Sequence, residues 1–322
     1  MRTRPNHGSS TTSLLLSVAF ALGCTNGQAP DKPASGGPAA PAKTAPSTTP
    51  TPVPTPAAET YDLRGAPVQG ATRRTEMTFE VQDAQLSMKV GELAVAGTMS
   101  LKSQITEDLE IQEVGDGTVR KGRLSHVLQK STTTTRVKLP NGSEESNPTE
   151  ENGPLHGRVE TVEFSGGQWK RTLEGPPPTP EQARLLNGSP FEGETYPTAI
   201  KVGDSWTDTG PELRRWLGSD VLSARGEVKN TLLAVELQQG EKVAVIESLG
   251  EIEATMVDAD NREMKMTMGL QGKMRRSLDK AVDLEGSAEG AIKLSGDIVQ
   301  DGVSMSMSVT GRFTGKIRGS LR

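Results

Sequence analysis

Three consecutive stretches decide the fold: MKMTMGLQGKMRRSL (264–278), VDLEGSAEGAIKLSGDI (282–298) and VSMSMSVTGRFTGKIRGSL (303–321). In the first, Met264, Met266, Met268, Leu270, Gly272, Met274 and Leu278 take the even positions. Lys265, Thr267, Gln271, Lys273 and Arg275 lie between them, and Arg276 is the one charge on the apolar side. In the second, Val282, Leu284, Ala288, Ile292, Leu294 and Ile298 alternate with Asp283, Glu285, Glu289, Lys293 and Asp297. In the third, Val303, Met305, Met307, Val309, Phe313, Ile317 and Leu321 alternate with Ser, Thr, Arg and Lys. A period of two gives a strand one apolar and one wet face. The breaks at Asp279-Lys280-Ala281 and Gln300-Asp301-Gly302 read as hairpin turns. The three runs form an antiparallel meander.

Each strand is 15 to 19 residues long, roughly 50–60 Å at ~3.3 Å per residue. Gly286, Gly290, Gly296, Gly311, Gly315 and Gly319 fall on the apolar face. Glycine there permits bending and close approach of backbones. The expected fold is therefore mainly β: a long antiparallel meander forming a curled sheet or incomplete barrel, with short connecting helices. Charge suggests a register for the last hairpin. Pairing residues whose numbers sum to 601 sets Glu289 against Arg312, Glu285 against Lys316 and Asp283 against Arg318. A sum of 603, set by a two-residue Asp301-Gly302 turn, keeps only Glu285 against Arg318. Cross-strand ion pairs favour the first.

Upstream, Met77, Phe79 and Val81 alternate, as do Leu86, Met88 and Val90. Leu93, Val95, Met99, Leu101, Ile105, Leu109 and Ile111 hold odd positions up to a turn at Gly115-Asp116-Gly117. A Thr-rich strand follows at 131–139, then a polar stretch, 143–156, that reads as a loop, then a strand pair around Gly166-Gly167. Pro176-Pro177-Pro178 opens a connector with helical turns at Glu181–Leu186 and Pro211–Leu217, the latter with Pro at its first position. Residues 59–322 thus read as one β-rich domain of two similar halves, 59–175 and 196–322, joined by a short helical connector.

The remaining residues of the 322 are of another kind. Arg2 and Arg4 precede an apolar run, Leu14 to Leu22, which is too short to span a bilayer and suits a signal-peptide core. Residues 25–58 hold nine of the 21 prolines among Ala, Thr, Ser and Gly. Pro removes backbone donors and favours extended chain, so this segment reads as a disordered tether. The chain has one Cys, Cys24, which excludes a disulfide framework or a Cys-based metal centre within one copy. Three His argue against a His-rich metal site, and 3% aromatics against base-stacking platforms. The formal charge of -5 gives no electrostatic reason to bind nucleic acid.

The tetrapeptide Ala21-Leu22-Gly23-Cys24 resembles the bacterial lipoprotein box, although Ala21 stands where Leu is usual. The resemblance implies a signal peptide over 1–23 and an acylated (palmitate-type) Cys24 at the head of the tether, 24–58. Its location would be the bacterial cell envelope. Thr25 rather than Asp follows the Cys, which points to the outer membrane. The string Ile200-Lys201-Val202-Gly203-Asp204-Ser205-Trp206 resembles a strand-start motif of uncharacterised bacterial envelope lipoproteins and implies no activity. The layout as a whole is similar in architecture to LolA- and LppX-type half-barrels, which carry lipids or lipoproteins; fold alone does not fix function.

Gly203-Asp204-Ser205 also resembles the first block of GDS-type serine esterases, where the Ser is the nucleophile. A nucleophilic Ser needs a base. No His follows His156, and the Asp-x-x-His and Gly-x-Asn-Asp blocks are absent, so no catalytic residue and no enzyme activity are expected. Met264, Met266, Met268, Met305 and Met307 would suit copper(I), but they continue a hydrophobic register as core packers do. No cofactor or metal is expected. The expected function is a non-catalytic, lipid-anchored carrier. Its lipid or other apolar ligand would sit against Met266, Met268, Leu270, Ile292, Leu294, Met307, Val309 and Phe313. The competing expectation is an envelope scaffold whose sheet is filled by its own side chains.

Overall fold

A computed structural model describes residues 59–138, 142–186, 190, 196–217, 221–257, 262–300 and 303–322. Residues 1–58, where the signal peptide, the lipid-bearing Cys24 and the tether are expected, lie outside the described residues. Three long strands open the chain: β1 (Thr72–Val90), β2 (Leu93–Gly115) and β3 (Thr118–Lys138). Shorter ones follow: β4 (Glu144–Asn152), β5 (Val159–Ser165) and β6 (Gln168–Leu173). After α1 (Pro180–Leu185), β7 (Ser205–Thr209) and α2 (Gly210–Leu217) come β8 (Val221–Gln238), β9 (Glu241–Val257), β10 (Glu263–Ser277), β11 (Val282–Gln300) and β12 (Val303–Leu321). All pairings among these strands are antiparallel.

They form one 12-stranded sheet in the order β6-β5-β3-β2-β1-β12-β11-β10-β9-β8-β7, with β4 also on β3. The first and last long strands, β1 and β12, pair with each other and join the N-terminal and C-terminal hairpins. Asp116 and Gly117 turn β2 into β3, both in the left-handed region (φ 52° and 72°), as an Asp-Gly hairpin turn requires. Both expected helical turns are present, and α1 begins on a capping box in which Thr179 and Gln182 satisfy each other's backbone donors.

Three expectations need correction. First, the sheet is neither closed nor strongly curled. Gly286, Gly296 and Gly311 receive neighbouring side chains, and Gly290 and Gly319 a backbone carbonyl of the next strand, instead of marking a roll. Met274 and Ile317 fill the space beside Gly286, Met264 that beside Gly296, and Ala84 that beside Gly311. Second, the last hairpin takes the register whose numbers sum to 603, with Glu285 opposite Arg318. This register sets small against large on the apolar face: Gly286 opposite Ile317, Gly290 opposite Phe313, Ile292 opposite Gly311 and Gly296 opposite Met307. The charge-favoured register would have set Gly286 against Gly315 and Gly290 against Gly311, leaving voids. Buried packing outweighs pairs on the wet face. Third, much of the polar stretch 143–156 is strand: β4 pairs with β3 along its whole length. Its side chains are almost all exposed, so no alternation marks it. Glu144, Glu145, Pro148, Glu150 and Glu151 also blunt it as a sheet edge.

Among the described residues the main core is a cluster drawn from β1, β2 and β7–β12, Trp206 being its member from β7, with Leu63, Tyr196 and Ile200 added from the flanking segments and Leu213 and Leu217 from α2. Each large side chain so buried contributes roughly 1.5–3 kcal/mol. A second, small cluster of Leu109, Ile111, Leu124 and Val162 lies under β5 and β6.

Candidate functional site

The eight residues expected to meet a ligand are brought together. Met266 stands opposite Leu294 and Met268 opposite Ile292; Leu294 in turn faces Val309 across β11 and β12. Met266, Met268 and Phe313 are each 1% exposed, and Leu270, Ile292, Leu294 and Val309 are buried with them. Phe313 stacks on Phe79 of β1 at 5.5 Å. Met307 is half-buried against the same cluster. Its row neighbours are Met88 on β1 and Gly296 on β11. Met88, Val90, Val95, Met305 and Met307 are half-buried and Leu93 is exposed, so one end of the apolar face is the least covered part of it. Met264, Met266 and Met268 are packed in the core as hydrophobes. Among the described residues no group of three or more His, Cys, Asp or Glu is placed to hold a metal.

Ser205 is exposed at the start of β7, and its hydroxyl lies 2.9 Å from that of Thr231. His126 is on β3, toward the other side of the sheet order. The Gly203-Asp204-Ser205-Trp206 string acts as a turn and strand start. Gly203 adopts φ 92° and Asp204 accepts the Lys201 amide at 3.0 Å. Trp206 is buried.

Two buried polar clusters stand out. Arg276, the charge on the apolar side of β10, is 3% exposed and fully employed. Its guanidinium donates to the carbonyls of Leu63 at 2.7 Å and Arg64 at 2.8 Å, and to Asp283 at 2.7 Å. It lies 4.1 Å over the Tyr196 ring, whose hydroxyl also binds Asp283. The segment at Leu63 and Arg64 is pinned to the sheet there.

The other cluster joins four strands. His126 of β3 places Nδ1 2.8 Å from Glu107 of β2 and Nε2 3.0 Å from Glu160 of β5. Arg171 of β6 donates twice to Glu160, at 2.8 and 2.6 Å. His126 is 2% and Glu160 0% exposed. Burial works against a charged His126, but the hydrogen bonds with Glu107 and Glu160 outweigh it and raise the ring from 6.5 to about 9. Burial likewise opposes charge on Glu160, while His126 and Arg171 hold its carboxyl below the usual range. Close by, Gln129 Nε2 lies 3.5 Å from His126 Nδ1, and the Gln129 amide donates to His156 at 3.1 Å. The sequence did carry a signal for this cluster. Glu107 falls between Ile105 and Leu109, His126 after Leu124 and Glu160 before Val162, each on a position the alternation assigns to the apolar face.

On the wet face, Gln271, Lys273, Ser287, Glu289, Thr314 and Lys316 line an open depression of about 310 Å³. No family model matches the chain, and no curated protein matches it.

Proposed function

We propose that this is a non-catalytic cell-envelope protein, held to the membrane by a lipid on Cys24, whose sheet is filled by its own side chains and acts as a scaffold. One observation carries the scaffold reading. The side chains that would have to line a ligand site are packed on one another, and the glycine spaces between them are occupied by Met264, Met274 and Phe313. The lipid anchor and the outer-membrane location rest on the Ala21-Leu22-Gly23-Cys24 box and on Thr25. The lack of enzyme activity rests on a Ser205 whose hydroxyl partner is another hydroxyl.

Carriage of a lipid or other apolar molecule is the second reading. The half-buried Met88, Met305 and Met307 at one end of the apolar face support it. Titration with a fluorescent fatty acid separates the two. The scaffold reading expects no saturable uptake. Saturable uptake that is lost in Met307→Asp would establish the carrier. Incorporation of labelled palmitate that disappears in Cys24→Ala tests the anchor.

A further inference from the structure

Among the described residues, strands β4, β5 and β6 join the sheet through β3: β4 and β5 pair with β3, and β6 pairs with β5. Helix α1 is tied to them by Gln182, which bonds Arg158 and the Pro154 carbonyl, and by the Leu185 carbonyl, which accepts from Arg171. Among the described residues their buried apolar contacts are few: Val162 of β5 in the small second cluster, Trp169 of β6 packed on it, and Leu155. The two pairings divide β3. Its first part, Lys121 to Ser125, holds β5, and its last part, Lys130 to Lys138, holds β4. His126 and Gln129 occupy the gap. The chain between β4 and β5 crosses this gap and is tied to it by backbone bonds. Gly153 donates to the Gln129 carbonyl, Gly157 donates to the His126 carbonyl, and the His126 amide donates to Arg158.

The side chains at this junction are ionic. Both ring nitrogens of His126 face carboxylate oxygens, so both must donate and the ring must carry a proton on each. Removing one proton leaves an imidazole nitrogen with a lone pair against a carboxylate, in a buried site. The groups around the ring are Glu107 from β2, Glu160 from β5, Arg171 from β6 and, through Gln129, His156 from the turn. Arg158 of the same turn points away, to Gln182 of α1 and to the carbonyls of Glu174 and Pro176.

We propose that residues 144–186 form a flap on the sheet, latched by the doubly protonated His126 that bridges Glu107 and Glu160, and that loss of one ring proton loosens the flap while the main core stays closed. In the open flap the ring loses Glu160 but keeps Glu107 of β2, so it falls only part of the way back to its ordinary range. A group held above that range stabilises the closed form fully below it and loses its effect as pH rises through the raised value. The latch therefore weakens as pH rises toward about 9 and is spent above it. Glu160, held low, sets the acid limit: its contribution is lost when acid protonates it.

Amide hydrogen exchange of the full chain from pH 6 to 9.5, corrected for base catalysis, tests this. Protection in Val159–Leu173 should fall by roughly tenfold or more relative to β10 and β11 across that range. In His126→Gln the relative protection should be low and independent of pH. Glu107→Gln, which keeps an oxygen acceptor but removes a charge, should move the fall to lower pH. Flap and core losing protection in parallel in the wild type would overturn the proposal. So would a pH step that survives in His126→Gln.

Discussion

Gly290 of β11 stands directly across from Phe313 of β12, whose ring edge lies 3.1 Å from where a Cβ at 290 would sit. The same Cβ would collide with the carbonyl oxygen of Gly269. Gly290→Ala is expected to destabilise the protein by ~1–3 kcal/mol or more through overpacking. Gly269→Ala, with nothing within 4 Å of the new carbon, is expected to stay within ~0.5 kcal/mol of the parent. Urea denaturation midpoints of the two variants make the comparison.

The register of the last hairpin has its own test. A double-mutant cycle on Glu285 and Arg318, which stand opposite each other, is expected to show a favourable coupling. The cycle on Glu289 and Arg312 should show none, because Glu289 faces Thr314 and Arg312 faces Ala291. Coupling confined to the second pair would mean the charge-matched register.

Arg276 holds the turn at Leu63 and Arg64. In Arg276→Met, the Leu63 and Arg64 carbonyls and Asp283 lose the guanidinium, while Asp283 keeps the Tyr196 hydroxyl. Breaking a buried ionic contact by removing one partner costs about 3–5 kcal/mol. Trypsin should then cut at Arg64 ahead of global unfolding, which mass analysis of early fragments will show.

Ser205→Ala is expected to leave stability within ~0.5 kcal/mol of the parent, as an exposed hydroxyl should. Any turnover of p-nitrophenyl esters should match the parent rate. A loss of turnover in this variant would mark Ser205 as a nucleophile.

What the sequence revealed follows from which side chains meet water. Strands β10, β11 and β12 were legible because one face is apolar and the other charged; their observed lengths, 15, 19 and 19 residues, fall in the expected range. Strand β4 was not, because neither of its faces is buried. Exposed charges favour the register that sums to 601, whereas the fit of Phe313 to Gly290 decides the observed one. Glycine on an apolar strand face suggests curvature from sequence, but Gly286 and Gly296 accept neighbours, Met274 and Met264. The His126 junction escaped because Glu107, His126 and Glu160 come from three strands. Each of them is a charge out of phase with its own apolar pattern, as is Arg276, and each is buried or half-buried in a polar contact. An out-of-phase charge in a long strand is thus a usable sign of a buried polar cluster.

The central claim is that the apolar face is filled by the chain itself. Native mass spectrometry of residues 59–322, purified without detergent, tests it most directly. The expected result is a single species at the polypeptide mass, unchanged after incubation with phospholipid vesicles. A second species heavier by the mass of a lipid, displaced when Phe313 or Met268 is replaced by a charged residue, would contradict it and establish a carrier.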